Sequence, residues 1–543
     1  MIDSSDRCAG RMHRISLLIA ALVCLPHAAV LGTTVVGHDS PEWIDLGRIQ
    51  GLDGLFHLMT SRHFIGYRPL TALTFVPGWR EAWLHHGIDL LILFLCIVRL
   101  HRWLLSIAGL SRGLCLLSVA AFAWHPVLEE IIPYPSRRAD LLLTLFGIEY
   151  LHALTSGSSP WRRCLLLFLA VCSKEPAFAL PIAAAIALLP GAGGRLSPRV
   201  LVPDFAVLFV AALLRLWVLG GVGGYETDKL VGNRAWIGLD YAANLLVPHL
   251  LWMRQEAPLV SVVLLVLSSV TFLSLVTRCW RTGAMTRVCV AALVLDFALY
   301  LVNGFVWPRL LAYGLALFIF VCASCMASFS GIRQRIVAVS LLLIVGLELA
   351  SAPWKRIQGA SLIVERYVTT LTRALKSQSA GPISMALLDV PAVRVRPWEE
   401  RRIQWSAPLS AEDADLVPLL PPPPLVRMLR WQLPDKSLEV LPLLSIAVED
   451  LNADWEVRIS DGAVDDRLTI ALRASAARFT AHSSMPGFVF PPSRREAHSM
   501  WYSFREWQAQ GRPLLLLAGR GIPGGRWFHG ERLVVELPDS TGQ

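Results

Sequence analysis

A few ionisable side chains that stand inside or beside long apolar runs are the residues best placed to do chemistry. Asp39 follows shortly after the apolar run 17–36, Lys174 and Glu175 interrupt another, and Arg215 lies near the end of a third. A charged side chain in such a place is costly to desolvate, so it marks a functional site by default. These residues are therefore the first candidates for a reaction or a binding site at a membrane surface.

The composition is that of a membrane protein. Of the 543 residues, 54% are hydrophobic and 17% are charged, and the mean hydropathy is +0.52. An ordinary soluble domain carries about 25% charged residues. Long apolar runs recur up to about residue 353, and short apolar runs separated by turn residues follow. We therefore predict a polytopic α-helical membrane domain, residues 1–354, and a smaller β-rich domain, residues 355–543.

The apolar runs predict about eleven membrane helices. They lie at about 15–36, 83–100, 112–132, 141–155, 164–172, 177–190, 200–219, 256–276, 288–306, 309–327 and 335–353. The fifth and sixth are shorter than the roughly 20 residues that cross a bilayer. They are separated by the break 173–176, which is tolerated where protein or a water-filled cavity surrounds it.

The net charge of +9 comes from basic residues in the short loops between apolar runs, and it does not indicate a nucleic-acid partner. Basic residues fall in the short loops 99–102, 162–163 and 278–287, as cytoplasmic loops do. We expect a cytoplasmic N-terminus, a folded first outer loop at 37–80 and an extracytoplasmic C-terminal domain. The run 236–253 is placed along the outer interface, because counting it as a span would put the loop 278–287 outside.

Cysteine and histidine usage indicates neither disulfides nor a metal. All ten cysteines lie at or before Cys325, most of them in apolar runs, so a disulfide-stapled outer domain is excluded. Several histidines are predicted on one side of the membrane: His38, His57, His63, His85, His86 and His125. Their spacing matches no known ligand pattern, so we expect no cofactor, with a divalent metal as the less favoured alternative.

Several short motifs follow one another between residues 39 and 175. They are the acid Asp39, Tyr67-Arg68-Pro69-Leu70-Thr71, His86-Gly87-Ile88-Asp89, Phe122-Ala123-Trp124-His125-Pro126 with Glu130, Arg138-Ala139-Asp140 and Ser173-Lys174-Glu175. In this order they resemble lipid-linked-sugar glycosyltransferases of the GT-C fold. The pattern is most similar to bacterial proteins that resemble the membrane half of tetratricopeptide-containing O-mannosyltransferases. The resemblance covers residues 15–225 well, and Arg309 with Tyr313 more loosely.

The resemblance implies an integral enzyme of the bacterial inner (plasma) membrane. It would take a sugar from a polyprenyl phosphate and pass it, with inversion, to a protein or an envelope glycan or lipid on the outer face. Asp39 is implied as the catalytic base, with Glu130 next in line. The implied cations for the donor phosphate are Arg138, Lys174, Arg215 and Arg309. The other implied pocket residues are Arg68, His86, Asp140, Glu175 and Tyr313.

Structural roles compete with these assignments. Asp39 could cap the next helix, and Arg68 more readily ties the loop down than contacts a sugar. Further alternatives are a clamp of Glu130 and Asp140 with Arg137 and Arg138, and a neutralised pair of Lys174 with Glu175. At the level of function, the alternatives are a lipid or solute transporter and a non-catalytic scaffold for envelope assembly.

Overall fold

The structure is a computed structural model. It describes residues 4–33, 40–49, 51–63, 66–76, 81–107, 110–129, 131–188, 198–220, 234–246, 258–303 and 310–327, a few residues between 368 and 433, and thirteen strands between 383 and 535. The chain divides into two compact units, Met1–Thr33 with Leu46–Ile357, and Thr34–Asp45 with Gln358–Gln543. The candidates Asp39, Glu130 and Arg309 and the predicted span 335–353 lie outside the described residues.

The described part of the chain up to residue 327 is mostly helical. Its α-helices are α1 (Ser4–Cys24), α2 (Ser40–Leu46), α3 (Gly51–Thr60), α4 (Pro69–Leu73), α5 (Ala82–Leu105), α6 (Arg112–Ala123), α7 (Pro126–Glu129), α8 (Arg138–Thr155), α9 (Pro160–Ser173), α10 (Ala179–Leu188), α11 (Val202–Leu219), α12 (Arg234–Leu246), α13 (Pro258–Cys279), α14 (Ala284–Asn303) and α15 (Ala312–Ala327). Short 3-10 helices cover Leu25–Gly32, Pro135–Arg137, Glu175–Phe178 and Pro198–Leu201.

Three of the described helical stretches are long and apolar enough to cross a membrane. They are Arg14–Gly32, Arg199–Leu219 and Ala284–Val302. Shorter apolar helices cover Arg112–Ala123, Glu175–Ala187, Val266–Cys279 and Ala312–Ala327. The chain is thus a helical protein with membrane-type helices, and the full number of eleven spans stays a prediction.

Two proline-containing segments decide where helices end. The third predicted helix, 112–132, is wrong at its end, because α6 ends at Ala123 and Pro126 begins a new short helix. The predicted break at 173–176 is present. Lys174 is extended (φ −163°, ψ 150°), and Pro176 lies in the 3-10 turn before α10. At 1.5 Å per residue, the 14 residues of α9 reach only about 21 Å.

Helix α8 lies at the centre of the first unit. It packs against α5, α9, α14 and α15, and most of its residues are buried. Gly147 permits a close approach on the α15 side, because a Cβ there would lie 2.8 Å from Cε2 of Tyr313. Since α8 carries Arg138 and Asp140 at one end and Glu149 at the other, its position fixes ionisable groups at both ends of the unit.

The described strands of the second unit are short. They are β1 (Ile383–Leu387), β2 (Val390–Arg394), β3 (Leu416–Pro418), β4 (Leu438–Pro442), β5 (Leu444–Ala447), β6 (Val457–Asp461), β7 (Arg467–Leu472), β8 (Phe479–Ala481), β9 (Arg494–Glu496), β10 (Ser499–Ser503), β11 (Leu514–Ala518), β12 (Gly524–His529) and β13 (Arg532–Val535). They pair in the orders β13-β12-β11-β1-β4, β6-β7-β10-β9 and β3-β2-β5-β8. An extracytoplasmic β-rich domain with the boundaries 355–543 stays a prediction.

Candidate functional site

Ionisable side chains that are distant in sequence meet where α8 begins and α9 ends. We call this region of the first unit the Glu175 end. Arg138 and Asp140 open α8, Lys174 and Glu175 follow α9, and Arg215 lies in the last turns of α11. The segment 66–76 covers this end, because Thr71 Oγ1 donates to the carbonyl of Ser173 (3.1 Å).

Arg138 is fully buried and ties three segments together. Its Nε donates to Asp89 Oδ1 (2.6 Å) on α5, and both side chains are at most 1% exposed. Its terminal nitrogens donate to Thr74 O (3.0 Å), Thr74 Oγ1 (3.1 Å) and His85 O (3.0 Å). The guanidinium also lies 4.3 Å from the centre of the Phe75 ring. These contacts make Arg138 a structural tie, and they leave the more accessible cations for a ligand.

Lys174 forms an ion pair with Asp140. Their side chains are 6% and 4% exposed, and the ammonium donates to Asp140 Oδ1. The structural alternatives were a neutralised pair of Lys174 with Glu175 and a clamp of Glu130 and Asp140 with Arg137 and Arg138. In the described residues Lys174 reaches Asp140 across the α8–α9 packing, and Arg138 binds Asp89. The pairings of Lys174 with Glu175 and of Asp140 with Arg138 are therefore wrong, whereas the part of the clamp that involves Glu130 lies outside the described residues.

Glu175 binds two arginines: Arg68 contacts both carboxylate oxygens, and Arg215 contacts Oε1. Arg68 Nη2 lies 2.9 Å from Oε2, and Arg215 Nη1 lies 3.2 Å from Oε1. The side chains are about 15%, 14% and 30% exposed for Arg68, Arg215 and Glu175. This ion triad is therefore more accessible than either Arg138 or Lys174. Arg68 does tie the loop down, as one of the structural alternatives held, because its partner lies on another element.

A small crevice opens beside the ion triad. It is lined by Tyr67, Phe168, Val171, Cys172, Phe178, Ala211, Leu214 and Arg215. Six of these eight residues are apolar, and Arg215 places one cation at the edge of a cavity of about 10 Å³. An apolar wall beside a cation is the chemistry that a ligand with a hydrocarbon part and an anionic group requires, and such a ligand would have to widen the crevice.

His63 stabilises the turn that leads into this end. Its Nε2–H donates to Leu58 O (2.7 Å), and its Nδ1 accepts the backbone N–H of Arg68 (3.4 Å). The bond to Nδ1 requires the neutral ring, because a protonated Nδ1 cannot accept, whereas the neutral and the protonated ring can both donate to Leu58 O. Burial lowers the pKa of His63 to about 4, the bond to Leu58 opposes this shift, and the charge of Arg68 adds to it. The following Gly66 lies so close to Glu175 that a Cβ there would be 2.8 Å from Oε1.

The remaining described candidates lie deeper. His86 Nε2 and Thr33 Oγ1 are 3.3 Å apart, so His86 joins α5 to the end of the 3-10 helix Leu25–Gly32. Tyr313 is 3% exposed, and among the described residues its hydroxyl has no hydrogen-bond partner. Neither contacts the ion triad directly in the described structure. No group of three or more His, Cys, Asp or Glu side chains in the described ranges is arranged to hold a metal ion.

Sequence reasoning missed a second buried polar pair. Tyr241 OH donates to Asp296 Oδ2 (2.8 Å), and the two residues are 0% and 2% exposed. Gly314 makes room for them, because a Cβ there would lie 2.7 Å from Asp296 Oδ2. Asp296 is also within electrostatic reach of Lys174 and Asp140. A lone acid inside the apolar run 288–303 was the signal that could have found this pair.

Comparison with models of known protein families and with curated proteins found no match for this chain. The case for a function therefore rests on the residues of the chain and on their geometry.

Proposed function

We propose that the protein is a membrane glycosyltransferase that takes a sugar from a polyprenyl phosphate. The observation that carries the proposal is the ion triad of Arg68, Glu175 and Arg215 at the edge of an apolar crevice. A polyprenyl phosphate has the matching parts, since its phosphate needs cations and its hydrocarbon chain needs an apolar wall. The motif series from Asp39 to Glu175, which resembles GT-C glycosyltransferases, supports the same substrate class.

The proposed reaction is a single displacement with inversion. An acceptor hydroxyl of a protein or an envelope glycan or lipid attacks the anomeric carbon, its proton goes to Asp39, and the sugar–phosphate bond breaks. The polyprenyl phosphate leaves with the bonding electrons. Arg215 and Arg68 then neutralise the charge that develops on the phosphate, while Lys174 adds positive potential from its buried pair. Arg309 is a further proposed phosphate ligand, and Glu130 is the proposed base should Asp39 not serve.

The proposal includes the architecture in which this chemistry takes place. About eleven spans of a GT-C-like domain would hold the Glu175 end at the outer face of a bacterial inner membrane, and the C-terminal β-rich domain would be extracytoplasmic. Three described helices long enough to span support the membrane part. No metal is part of the proposed mechanism.

The direct test measures sugar release from a panel of polyprenyl-phosphate sugars by the purified wild type and by Asp39→Asn. We expect turnover by the wild type and its loss in Asp39→Asn with donor binding retained. Arg215→Gln should lower kcat more than it raises KM for the donor, because Arg215 neutralises charge that develops as the phosphate leaves. Arg281→Gln, on an exposed loop between α13 and α14, is the matched control. Turnover by Asp39→Asn equal to the wild type would remove Asp39 as the base and direct the test to Glu130.

A transporter is the second candidate, and one observation favours it. Buried ionisable pairs lie beside a broken helix pair, with Asp296 near Lys174 and Asp140. Transporters place such groups at discontinuous helices. Solute or lipid movement across proteoliposomes without any sugar release, together with its loss in Asp296→Asn, would favour this candidate over the enzyme.

A further inference from the structure

The opposite end of the first unit carries a second concentration of charge. We call it the Glu149 end, where α5 and α8 end and α9 begins. Arg99 Nε lies 3.1 Å from Glu149 Oε1, and Arg162 Nη2 lies 3.2 Å from Oε2. Glu149 and Asp140 are both on α8 and are nine residues apart, which corresponds to about 14 Å along the helix axis. The cluster is thus separate from the ion triad at the Glu175 end.

Positive charge is in excess in this cluster. Arg102 is exposed. His152, on α8, lies within electrostatic reach of Arg99, Arg102 and Arg162. With His152 neutral, the three arginines exceed the one glutamate by two charges. The side chains of Arg99 and Arg162 are 38% and 49% exposed, whereas that of Glu149 is 9% exposed. The carboxylate therefore lies beneath the guanidiniums, and the guanidiniums face outwards.

Exposed apolar side chains continue from the arginines in one direction. On α5, Leu95 (36% exposed) and Leu91 (57%) precede Arg99 by one and two turns. On α9, Leu165 (44%) and Phe168 (37%) follow Arg162 by about one and two turns. At 1.5 Å per residue they lie about 4–12 Å from the charges, at matching depths on the two helices. Helix α8 packs against both α5 and α9, so the two stripes flank it.

Trp161 marks the depth at which such a surface would meet the edge of a membrane. It is 77% exposed and directly precedes Arg162. Tryptophan is enriched at the level of lipid headgroups, where its ring is in the apolar region and its N–H is in water. An indole beside outward-facing arginines, with apolar stripes on one side of them, is the arrangement that a lipid headgroup requires above its acyl chains.

We propose that the Glu149 end is a binding site for an anionic phospholipid of the surrounding leaflet. The headgroup phosphate contacts Arg102 and Arg162, and the acyl chains lie along Leu91 and Leu95 on one side and Leu165 and Phe168 on the other. The excess of positive charge selects an anionic headgroup over a zwitterionic one. The apolar stripes select a lipid over a soluble anion, because a soluble anion would leave them uncovered.

The test titrates the purified full-length protein in detergent with phosphatidylglycerol and counts bound lipid by native mass spectrometry. The wild type should bind phosphatidylglycerol more tightly than phosphatidylcholine. Arg102→Gln with Arg162→Gln should weaken phosphatidylglycerol binding by roughly fivefold for each arginine, since each contributes about one charge contact. Arg278→Gln with Arg281→Gln removes two exposed arginines, one from the last turn of α13 and one from the loop after it, and should leave binding unchanged.

Three results would overturn the proposal. One is equal binding of the two lipids by the wild type, a measurement that needs no variant and so stands even if the double variant unfolds. The second is unchanged affinity in a double variant whose thermal midpoint matches that of the wild type. The third is displacement of phosphatidylglycerol by inorganic phosphate at comparable concentration, which would indicate a site for soluble anions.

Discussion

At the scale of single residues, the Arg138–Asp89 pair shows how the desolvation cost of a charge in an apolar core is offset by a buried counter-charge. Arg138 donates four hydrogen bonds, and Asp89 supplies the single carboxylate among its acceptors. Two buried charges are tolerated together, but one of them alone is costly because its desolvation is not compensated. The contribution of the pair to stability is therefore seen when one partner is removed, because the other charge then stays buried without a counter-charge.

Asp89→Asn should destabilise the protein by about 3–5 kcal/mol, because the guanidinium of Arg138 would stay buried without a counter-charge. The measurement is the free energy of unfolding in mixed detergent micelles. Asp53→Asn, at an exposed position in the first turn of α3, is the control and should change stability by less than about 0.5 kcal/mol. Equal stability of the two variants would show that Asp89 is not ionised in the folded protein.

At the scale of elements, the segment from α3 to α4 is held on the Glu175 end by a small number of bonds. Within the segment, His63 Nδ1 accepts the backbone N–H of Arg68, and this bond needs a neutral His63, whose pKa is lowered to about 4 chiefly by burial. A histidine has a pKa of about 6.5 in an unfolded chain. The unfolded segment therefore binds more protons between pH 6.5 and pH 4, so acid favours its release.

We expect this segment to lose stability as the pH falls from about 6.5 to 4, by about 1.4 kcal/mol for each pH unit. Above pH 6.5 His63 should contribute no pH dependence. The measurement is the rate of limited proteolysis within residues 47–76 as a function of pH. His63→Gln should flatten the profile, whereas His57→Gln, which removes only a weak contribution to the lowered pKa of His63, should shift the profile slightly and retain its slope. A steep profile in His63→Gln would assign the acid sensitivity to another group.

At the scale of the whole molecule, the distribution of basic residues predicts the orientation in the membrane. Exposed arginines at the Glu149 end and in the loop after α13 favour the cytoplasm, which would put the Glu175 end outside. This can be measured with single cysteines, because the cysteines of the described residues are buried or half-buried. Leu52 in α3 and Arg281 after α13 are both exposed and lie on opposite predicted sides.

In intact spheroplasts, a membrane-impermeant maleimide should label Leu52→Cys and leave Arg281→Cys unlabelled until the membrane is permeabilised. The parent protein, with its own cysteines, sets the background. Labelling of Arg281→Cys before permeabilisation, with Leu52→Cys protected, would reverse the orientation and place the candidate site in the cytoplasm.

The sequence was informative where a local signal sufficed. Ser173-Lys174-Glu175-Pro176 predicted the break between α9 and α10, because a proline after a charged pair cannot continue an apolar helix. The same residues were recognised as candidates for a site. Their partners were not predicted, since Lys174 pairs with Asp140 and Arg138 with Asp89 according to how α5, α8 and α9 pack. Helix packing depends on side-chain shape along whole faces, which residue spacing does not encode.

Asp296 was missed for the opposite reason. Its helix is so apolar that the sequence predicts a membrane span, in which one acid indicates a buried polar site but not the identity of its partner. That partner, Tyr241, lies in the run 236–253, which the sequence predicts along the interface, and 55 residues separate the two. Nothing local to either residue indicates the pairing.

The buried tie between α5 and α8 also constrains how the chain is made. Asp89 precedes Arg138 by 49 residues, so at the usual rate of translation it leaves the ribosome roughly 2–10 s earlier. During that interval Asp89 lacks the counter-charge that it has in the folded protein. We therefore expect α5, which the sequence predicts as a span, to reach its final position only after α8 has been synthesised.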